Sequence, residues 1–141
     1  MILSQTCQIA IKSVAYISGA KNACVNVKEL AEKIDENPHT IAKAMQGLVK
    51  NGLLSSSTGP NGGFYLTNKQ TKLPLLEIVK VVDGANIFES CVLGLKQCSE
   101  KHPCPMHDKL VLVRKDLKTI FEKTSMEQMV SLDLDSQVFL R

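Results

Sequence analysis

The feature that most constrains this chain is a short helical segment with distinct signals at both ends, followed by a glycine-rich turn. Asn37 and Pro38 are an N-cap residue and a first-turn proline, and Gly52 supplies a stop after Asn51. At 100° per residue, four apolar residues share one face: Ile41, Ala44, Met45 and Leu48. Hydrogen-bond donors and positive charge, without a carboxylate, occupy the opposite face: His39, Lys43, Gln46 and Lys50. The segment is therefore predicted to be an amphipathic helix with a basic outer face.

Two further helices are predicted ahead of this one. Residues 4–18 form a largely apolar stretch that Ser4 can cap and Gly19 can end. Asn26 and Glu29 have the spacing of a capping box. The residues that follow Asn26 include one apolar stripe at helical spacing: Val27, Leu30, Ala31 and Ile34.

A β-hairpin is predicted directly after the third helix. Residues 53–56 and 64–67 are short strand-like segments, and the turn between them contains Gly59-Pro60-Asn61-Gly62-Gly63. Three short helices followed by a hairpin are typical of a winged helix-turn-helix. The sequence therefore predicts a mainly α fold with a small β-hairpin wing, and we assign residues 1–84 to a winged-helix DNA-binding domain.

The second half of the chain begins with another predicted helix, from Leu73 to Asp83, which Gly84 ends. Residues 85–105 have no helical periodicity and contain three cysteines: Cys91, Cys98 and Cys104. This region is predicted to be a loop that holds a cofactor or acts as a sensor.

A long helix is predicted from about Met106 to Lys123, with a heptad-like apolar stripe: Leu110, Val113, Leu117, Ile120 and Phe121. Such a stripe is suited to packing along a partner helix. Residues 125–128 have capping-box form and can open a short final helix. We therefore assign residues 106–141 to a dimerisation helix with a C-terminal tail, and we expect a homodimer.

Composition limits the surroundings in which the cysteines act. In 141 residues with a net charge of +3, we find neither the pattern of a signal peptide nor an apolar run long enough to cross a membrane. A cytoplasmic location is therefore expected. In the reducing cytoplasm, closely spaced cysteines indicate metal or redox chemistry more than structural disulfides.

The spacing Cys-x6-Cys-x5-Cys-x2-His lacks the Cys-x2-Cys pairs of most zinc folds. Soft thiolate ligands suit both iron–sulfur clusters and zinc, and the wider spacing favours a cluster, of [2Fe–2S] or [4Fe–4S] type. His107 is the first candidate for the fourth ligand, and His102 is a second one. Cys7 could approach the loop across a dimer, but an apolar helix more often buries its cysteine as a small hydrophobe. We interpret Cys7 and Cys24 in that way.

The sequence resembles the Rrf2 family of bacterial winged-helix regulators, which includes IscR-like and NsrR-like iron–sulfur repressors. The resemblance covers nearly the whole chain and is carried by residues 48–54, by residues 59–66 and by the spaced cysteines, the last followed by Pro105-Met106-His107. It implies that the long helix builds the dimer and that His107 holds the position of the histidine in the IscR-like branch.

Two departures from the Rrf2 pattern also have consequences. Family wings often carry Arg before the first glycine, where this chain has Thr58, which implies the loss of one contact to the minor groove or a phosphate. In the NsrR-like branch, a carboxylate near the N-terminus of the partner subunit completes the cluster. The first acidic residue of this chain is Glu29, which implies that this carboxylate ligand is absent.

These observations predict a sequence-specific DNA-binding transcription regulator, a repressor that senses iron–sulfur or redox status and binds a palindromic operator on double-stranded DNA. The residues expected to contact DNA are His39, Thr40, Lys43, Gln46, Lys50 and Asn61. The alternative is a regulator without a cluster that responds to thiol oxidation or binds zinc. An enzyme is disfavoured because no nucleophile and base are paired in the sequence. A scaffold that delivers or stores clusters is a further rival.

Overall fold

The computed structural model describes residues 2–21, 23–96 and 99–131, which form mainly helices with one small sheet. The helices are, in chain order, α1 (Gln5–Gly19), α2 (Val27–Ile34), α3 (Pro38–Lys50), α4 (Asn68–Thr71), α5 (Leu75–Val82), α6 (His107–Lys123) and α7 (Gln128–Ser131). The strands between α3 and α4 are β1 (Ser55–Ser57) and β2 (Gly63–Tyr65). The predicted order of three helices and a hairpin is confirmed. No helix in the described ranges has the length and apolar character needed to cross a membrane.

Side-chain caps begin the first three helices. Ser4 caps α1, Asn26 caps α2 and Asn37 caps α3, each through an oxygen that accepts a backbone N–H at 2.8 to 3.1 Å. These bonds satisfy donors that a helix start leaves without an intrahelical partner. The Glu29 carboxylate accepts a hydrogen bond from the Tyr16 hydroxyl at 2.8 Å, so it joins α2 to α1 where the sequence predicted a capping box.

The wing is a two-stranded antiparallel hairpin that also pairs with the segment before α2. Val25 and Phe64 exchange two backbone hydrogen bonds of 2.8 and 2.9 Å, which attach β2 to the helical part of the fold. Gly63 makes this approach possible, because a Cβ at this position would lie 2.5 Å from the carbonyl oxygen of Val25. The wing therefore has a fixed base.

The main core lies between α1, α2, α3 and α5 and extends beneath the wing. It includes all four residues predicted for the apolar face of α3 and comprises Ile9, Ala10, Val14, Ile17, Val25, Leu30, Ile34, Ile41, Ala44, Met45, Leu48, Leu53, Leu54, Phe64, Leu66, Leu75, Ile78 and Met126. Leu53 and Leu54 pack in this core instead of pairing in the hairpin, so β1 begins two residues later than predicted.

Two local features around α4 and α5 differ from the prediction. Leu73 lies outside α5 because Pro74, the N-cap residue with φ −71° and ψ 149°, disfavours a helical backbone in the residue before it. The helix α4 was not predicted. Its signal is a complete capping box in which Thr67 and Gln70 each accept the other's backbone N–H, at 3.0 and 3.2 Å.

The helix predicted from Met106 to Lys123 is confirmed to within one residue, but its apolar stripe is divided between two surroundings. Leu117 and Phe121 pack against a second cluster of buried residues, formed by Cys7, Leu76, Val79 and Phe88. Val113 and Ile120 are 58% and 60% exposed, and Leu112 beside them is 65% exposed. One edge of α6 is therefore part of the core, and the other is an uncovered apolar surface.

The region predicted as a loop, residues 85–105, contains neither helix nor strand in its described part. It consists of turns and one bridge between Ser99 and His102. The short final helix predicted after residue 125 is present as α7. The Ser125 N–H donates to the Gln128 side chain at 2.8 Å, as a capping box requires.

Candidate DNA-binding face and cysteine loop

The helix α3 has the two faces that the sequence predicts. Its inner face is fully covered, whereas four polar residues on the outer face are exposed and Thr40 is half-buried. The exposed residues are His39, Lys43, Gln46 and Lys50. Thirteen residues give the helix a length of about 20 Å, and the rise per residue places these side chains along most of it. The outer face of α3 therefore exposes hydrogen-bond donors and positive charge, which suit a partner with hydrogen-bond acceptors and negative charge.

A groove with a volume of about 480 Å³ borders the first half of this face. Its walls come from α1, α3 and the end of α5, and its lining residues are Thr6, His39, Thr40, Lys43, Ala44, Gly47, Val81 and Val82. Gly47 lies inside α3, where glycine costs about 1 kcal/mol relative to alanine. A Cβ at Gly47 would meet no other atom within 4 Å, so packing within this chain does not require the glycine. The backbone of α3 is therefore open to close approach at this point.

The tip of the wing is also exposed. Residues 56–61, including Thr58 and the predicted contact residue Asn61, have high exposure. Gly62 closes the turn, since a Cβ there would lie 2.3 Å from the carbonyl oxygen of Ser57. The wing thus carries an uncharged polar tip on a rigid turn.

Two of the three loop cysteines lie within the described residues. Cys91 and Cys104 are half-buried thiols outside any disulfide, and Cys98 lies outside the described residues. A cavity of about 460 Å³ adjoins Cys91, and its lining residues are Asn86, Glu89, Ser90, Cys91, Gly94, Leu95 and Lys96. The space beside Cys91 is therefore large enough to admit a group of several atoms.

The candidate histidines occupy different places. His107 is the first residue of α6, and its backbone N–H donates to the carbonyl of Cys104 at 2.9 Å, so one turn joins these two residues. His102 is exposed and pairs with Ser99 through backbone bonds of 3.0 and 3.3 Å. Among the described residues, no group of three or more His, Cys, Asp or Glu side chains is arranged to hold a metal ion.

Cys7 is buried in the second core cluster, which agrees with its interpretation as a small hydrophobe. Burial, together with the charge of the nearby Asp83 carboxylate and a hydrogen bond to it, raises the pKa of its thiol from 9.0 to about 12. The thiol therefore stays protonated near neutral pH and is not a ready metal ligand. Cys24 is only half-buried, so the same interpretation is partly correct for it.

The chain matches the Rrf2 family, described as iron-dependent transcriptional regulators, over residues 3–132. It belongs to the Rrf2 family. A protein of Aquifex aeolicus with a provisional assignment as an HTH-type transcriptional regulator is 30% identical over 136 residues, which are 94% of each chain. This Rrf2 protein is accordingly a transcription regulator of the DNA-binding winged-helix type and not an enzyme.

Solved Rrf2-like structures confirm the fold. CymR, the global cysteine regulator of B. subtilis, superposes with a TM-score of 0.76 at 17% identity, over 93% of this chain and 97% of CymR. IscR of T. potens superposes with a TM-score of 0.68 at 17% identity, over 92% of this chain and 85% of IscR.

Sequence reasoning missed one residue that contacts the cysteine loop, Arg114 on α6. One terminal nitrogen of its guanidinium donates to the carbonyl oxygens of Glu89, at 2.9 Å, and Ser90. The available signal was composition, because Arg occurs only at positions 114 and 141 among the 17 basic residues. The side chain links α6 to the residue that precedes Cys91.

Proposed function

We propose that this Rrf2 protein is a homodimeric, cytoplasmic repressor whose binding to DNA is controlled by an iron–sulfur cluster at its cysteine loop. The observation that carries the DNA-binding part is the division of α3 into a buried apolar face and an exposed basic face. The cofactor part is supported by the half-buried thiols of Cys91 and Cys104 and the cavity beside Cys91.

The outer face of α3 is proposed to enter the major groove, which is wide enough to admit an α-helix. His39, Thr40, Lys43 and Gln46 face outward in the first two thirds of the helix, where base edges are within reach. Lys50 is the last residue of α3, where a phosphate is the nearer partner, and Asn61 on the wing contacts an adjacent groove or the backbone. In a two-fold dimer, two such helices match a palindromic operator.

A salt titration of DNA binding tests this assignment. The probes are a random duplex and a duplex that the wild-type protein selects from a random pool. Gln46→Ala should lower affinity for the selected duplex by about 1–3 kcal/mol and have much less effect on the random one, because base contacts discriminate. Lys50→Ala should weaken both similarly and reduce the salt slope by about one unit.

Lys123→Ala is the matched control for this titration, since it removes an exposed charge at the end of α6. It should leave both affinities unchanged. If Gln46→Ala and Lys50→Ala also bind every duplex as the wild type does, α3 is not the reading element.

The homodimer is supported by the uncovered edge of α6, where Leu112, Val113 and Ile120 are each more than half exposed. An apolar strip along a helix is stabilised when a second copy covers it. Sedimentation at micromolar concentration should give about twice the chain mass of 15.5 kDa. Ile120→Lys should shift the equilibrium toward the monomer. A wild-type protein that sediments as a monomer would refute the dimer.

The proposed ligands of the cluster are Cys91, Cys98, Cys104 and His107. The donor set fits a soft metal centre, because Cys91 and Cys104 supply half-buried thiols outside any disulfide and one backbone turn joins His107 to Cys104. When bound, such a cluster supplies one-electron redox chemistry and sensitivity to iron supply. Both described thiols, those of Cys91 and Cys104, are only half-buried, which suits a site that senses its surroundings.

The test is the visible absorption spectrum with the iron and sulfide content of anaerobically purified protein. Wild-type protein should be brown, and Cys91→Ala, Cys98→Ala or Cys104→Ala should each abolish the colour, because the site then lacks a thiolate. Cys24→Ala is the control and should keep it. Wild-type protein that stays colourless with iron and sulfide supplied, and binds zinc tightly, would refute the cluster.

A regulator without a cluster is the second candidate. It is supported by the half-buried thiols of Cys91 and Cys104, which lie outside any disulfide. The same thiols of Cys91 and Cys104 would then respond to oxidation directly, since accessible thiols are the ones that sense redox conditions. Colourless wild-type protein with little zinc, whose DNA affinity changes on mild oxidation, would favour this candidate.

A further inference from the structure

Arg114 reaches from α6 to the backbone that leads into Cys91. Its NH1 nitrogen donates to the carbonyl oxygens of two successive residues, Glu89 and Ser90. Hydrogen bonds from a charged donor are stronger than those between neutral groups, and the planar guanidinium also restricts their direction. Because Ser90 immediately precedes Cys91, these bonds fix the chain one residue before the thiol.

Two further side chains of α6 hold the same segment. The Phe121 ring contacts the buried Phe88 ring with a centroid separation of 5.5 Å. The Nζ of Lys118 lies 3.3 Å from a carboxylate oxygen of Glu89. Positions 114, 118 and 121 are spaced i, i+4 and i+7 and share one helix face. This face of α6 thus holds residues 88, 89 and 90 in turn, an arrangement we call the α6 clamp.

The other described loop cysteine is also placed by α6. The carbonyl of Cys104 accepts the backbone N–H of His107, the first residue of the helix, at 2.9 Å. Between the two cysteines, Val92, Leu93 and Leu95 are each more than half exposed and give the loop no core of its own. The positions of Cys91 and Cys104 are therefore both defined relative to α6.

The choice of arginine at position 114 fits this role. The chain uses Lys at 15 of its 17 basic positions, which are those other than 114 and 141. The two N–H bonds of NH1 lie in the guanidinium plane and therefore point in fixed directions, whereas the N–H bonds of an ammonium group rotate freely. The Nε of Arg114 is buried without a hydrogen-bond partner in the described part of the chain. Desolvating this polar nitrogen costs free energy, which the bonds to Glu89 and Ser90 offset.

We infer that Arg114 is a positioning residue that couples Cys91 to α6, so that ligand gain or loss at Cys91 is transmitted to the dimer helix. The inference rests on the proposed function, because that function supplies the ligand gain or loss at Cys91. The α6 clamp itself does not depend on which group binds. Through α6, the change alters the relative placement of the two α3 helices and thereby the affinity for DNA.

The first measurement is hydrogen–deuterium exchange on metal-free, reduced protein. The backbone N–H groups of Glu89 and Ser90 both donate to the carbonyl of Asn86 at 2.9 Å, so their exchange reports on this segment. Arg114→Met should accelerate it by about tenfold or more, and Arg114→Lys, which keeps the charge without the planar guanidinium, should give an intermediate rate. Lys115→Met, an exposed neighbour, should match wild type. Unchanged exchange in Arg114→Met would overturn the positioning role.

The second measurement is a double-mutant cycle on affinity for the selected duplex. Cys91→Ala should change the affinity of the wild type about fivefold or more, but less than about twofold in the Arg114→Met background. In the Lys115→Met background, the full effect of Cys91→Ala should persist. A purely structural role of Arg114 would instead give independent effects that multiply. If Arg114→Met fails to fold, Arg114→Lys takes its place in the cycle.

The outcomes separate the two proposals. If Cys91→Ala acts equally in both backgrounds, transmission through Arg114 is wrong and the proposed sensing function stands. If Cys91→Ala leaves the affinity of the wild type unchanged, the sensing function is wrong and transmission fails with it. The exchange measurement then still decides whether Arg114 positions Cys91.

Discussion

The winged-helix part and the cysteine loop differ in what holds them in place. All members of the main core except Met126 come from the region between Ile9 and Ile78, so the elements that carry α3 and the wing bury one another. In the described part of residues 85–105, Phe88 is the one buried residue. The loop depends on contacts with α6 instead of a core of its own.

This difference fits the tasks proposed above for the two parts, reading DNA and sensing. A surface that reads DNA needs fixed geometry, and the core beneath α3 supplies it. A sensing element needs a position that a small change in free energy can alter, and elements of low local stability meet that need. The α6 clamp limits this freedom at the segment before Cys91, so a change in the loop has a defined route to α6.

The largest contrast between the two parts should appear in thiol reactivity. Because thiolate is the reactive form, a pKa raised from 9.0 to about 12 lowers the reactive fraction of Cys7 about a thousandfold near pH 8. Iodoacetamide labelling of native protein, followed by mass spectrometry, should therefore modify Cys104 long before Cys7. In denaturant, both should react alike. Equal rates in the native protein would contradict the assignment of Cys7 to the core.

The same substitution should have unequal effects on stability in the two parts. Leu48 is fully buried on α3, and Leu48→Ala should lower the free energy of unfolding by about 2–5 kcal/mol through the cavity it leaves. Leu93 is 54% exposed in the loop, and Leu93→Ala should cost less than about 0.5 kcal/mol. Urea denaturation measures both. A cost above about 2 kcal/mol for Leu93→Ala would mean that a partner or cofactor buries the loop.

The pH dependence of stability should also report on the winged-helix part. The raised pKa of Cys7 means that the folded state retains its proton as pH rises from 9.0 to about 12. The contribution of Cys7 to the free energy of unfolding is therefore fully present below pH 9.0 and is lost as the pH rises to about 12. Cys7→Ala should flatten the alkaline decline in melting temperature. Part of it should remain, because burial and the hydrogen bond to Glu29 raise the pKa of Tyr16 from 10.0 to about 12.

An unchanged alkaline profile in Cys7→Ala would show that the thiol is not desolvated. Cys24→Ala is the matched control, because it removes a half-buried thiol of the same part of the fold.

The smallest effect concerns the point where the two parts meet. Asp83 ends α5, and its carboxylate accepts the backbone N–H of Ser4 at 2.8 Å and the Ser4 hydroxyl at the start of α1. A negative charge at the N-terminus of α1 interacts favourably with the dipole of that helix. Asp83→Asn should therefore lower the free energy of unfolding by about 0.3–1 kcal/mol in urea titrations, with Asp116→Asn, an exposed carboxylate inside α6 and away from its ends, as the control. If Asp83→Asn lowers the free energy of unfolding no more than the control does, the Asp83 carboxylate does not stabilise α1.

Local signals made the winged-helix part predictable. The bounds of α3 follow from the Asn37-Pro38 start and the Gly52 stop. Its two faces follow from the spacing of the apolar residues. Errors arose where a tertiary contact competed with a local preference. Glu29 bonds Tyr16 instead of completing a capping box, and Leu53 and Leu54 enter the core ahead of β1.

The cysteine loop was less predictable because its geometry depends on long-range contacts. The spacing of the cysteines indicated soft ligands, but it carries no information about how the segment before Cys91 is held. That information lies in Arg114, 24 and 25 residues away from the carbonyls it binds. The division of the α6 stripe had the same cause, since periodicity does not distinguish contact with the chain's own core from contact with a second copy.

The most direct test of the account is whether the state of the cysteine loop sets the affinity of the winged helix for DNA. Binding of the selected duplex is measured anaerobically for wild-type protein reconstituted with iron and sulfide and for the same protein after chelation under reducing conditions. The account predicts affinities that differ by about tenfold or more, with little change on a random duplex and none in Cys91→Ala. Equal affinities of the two wild-type forms for the selected duplex would contradict it.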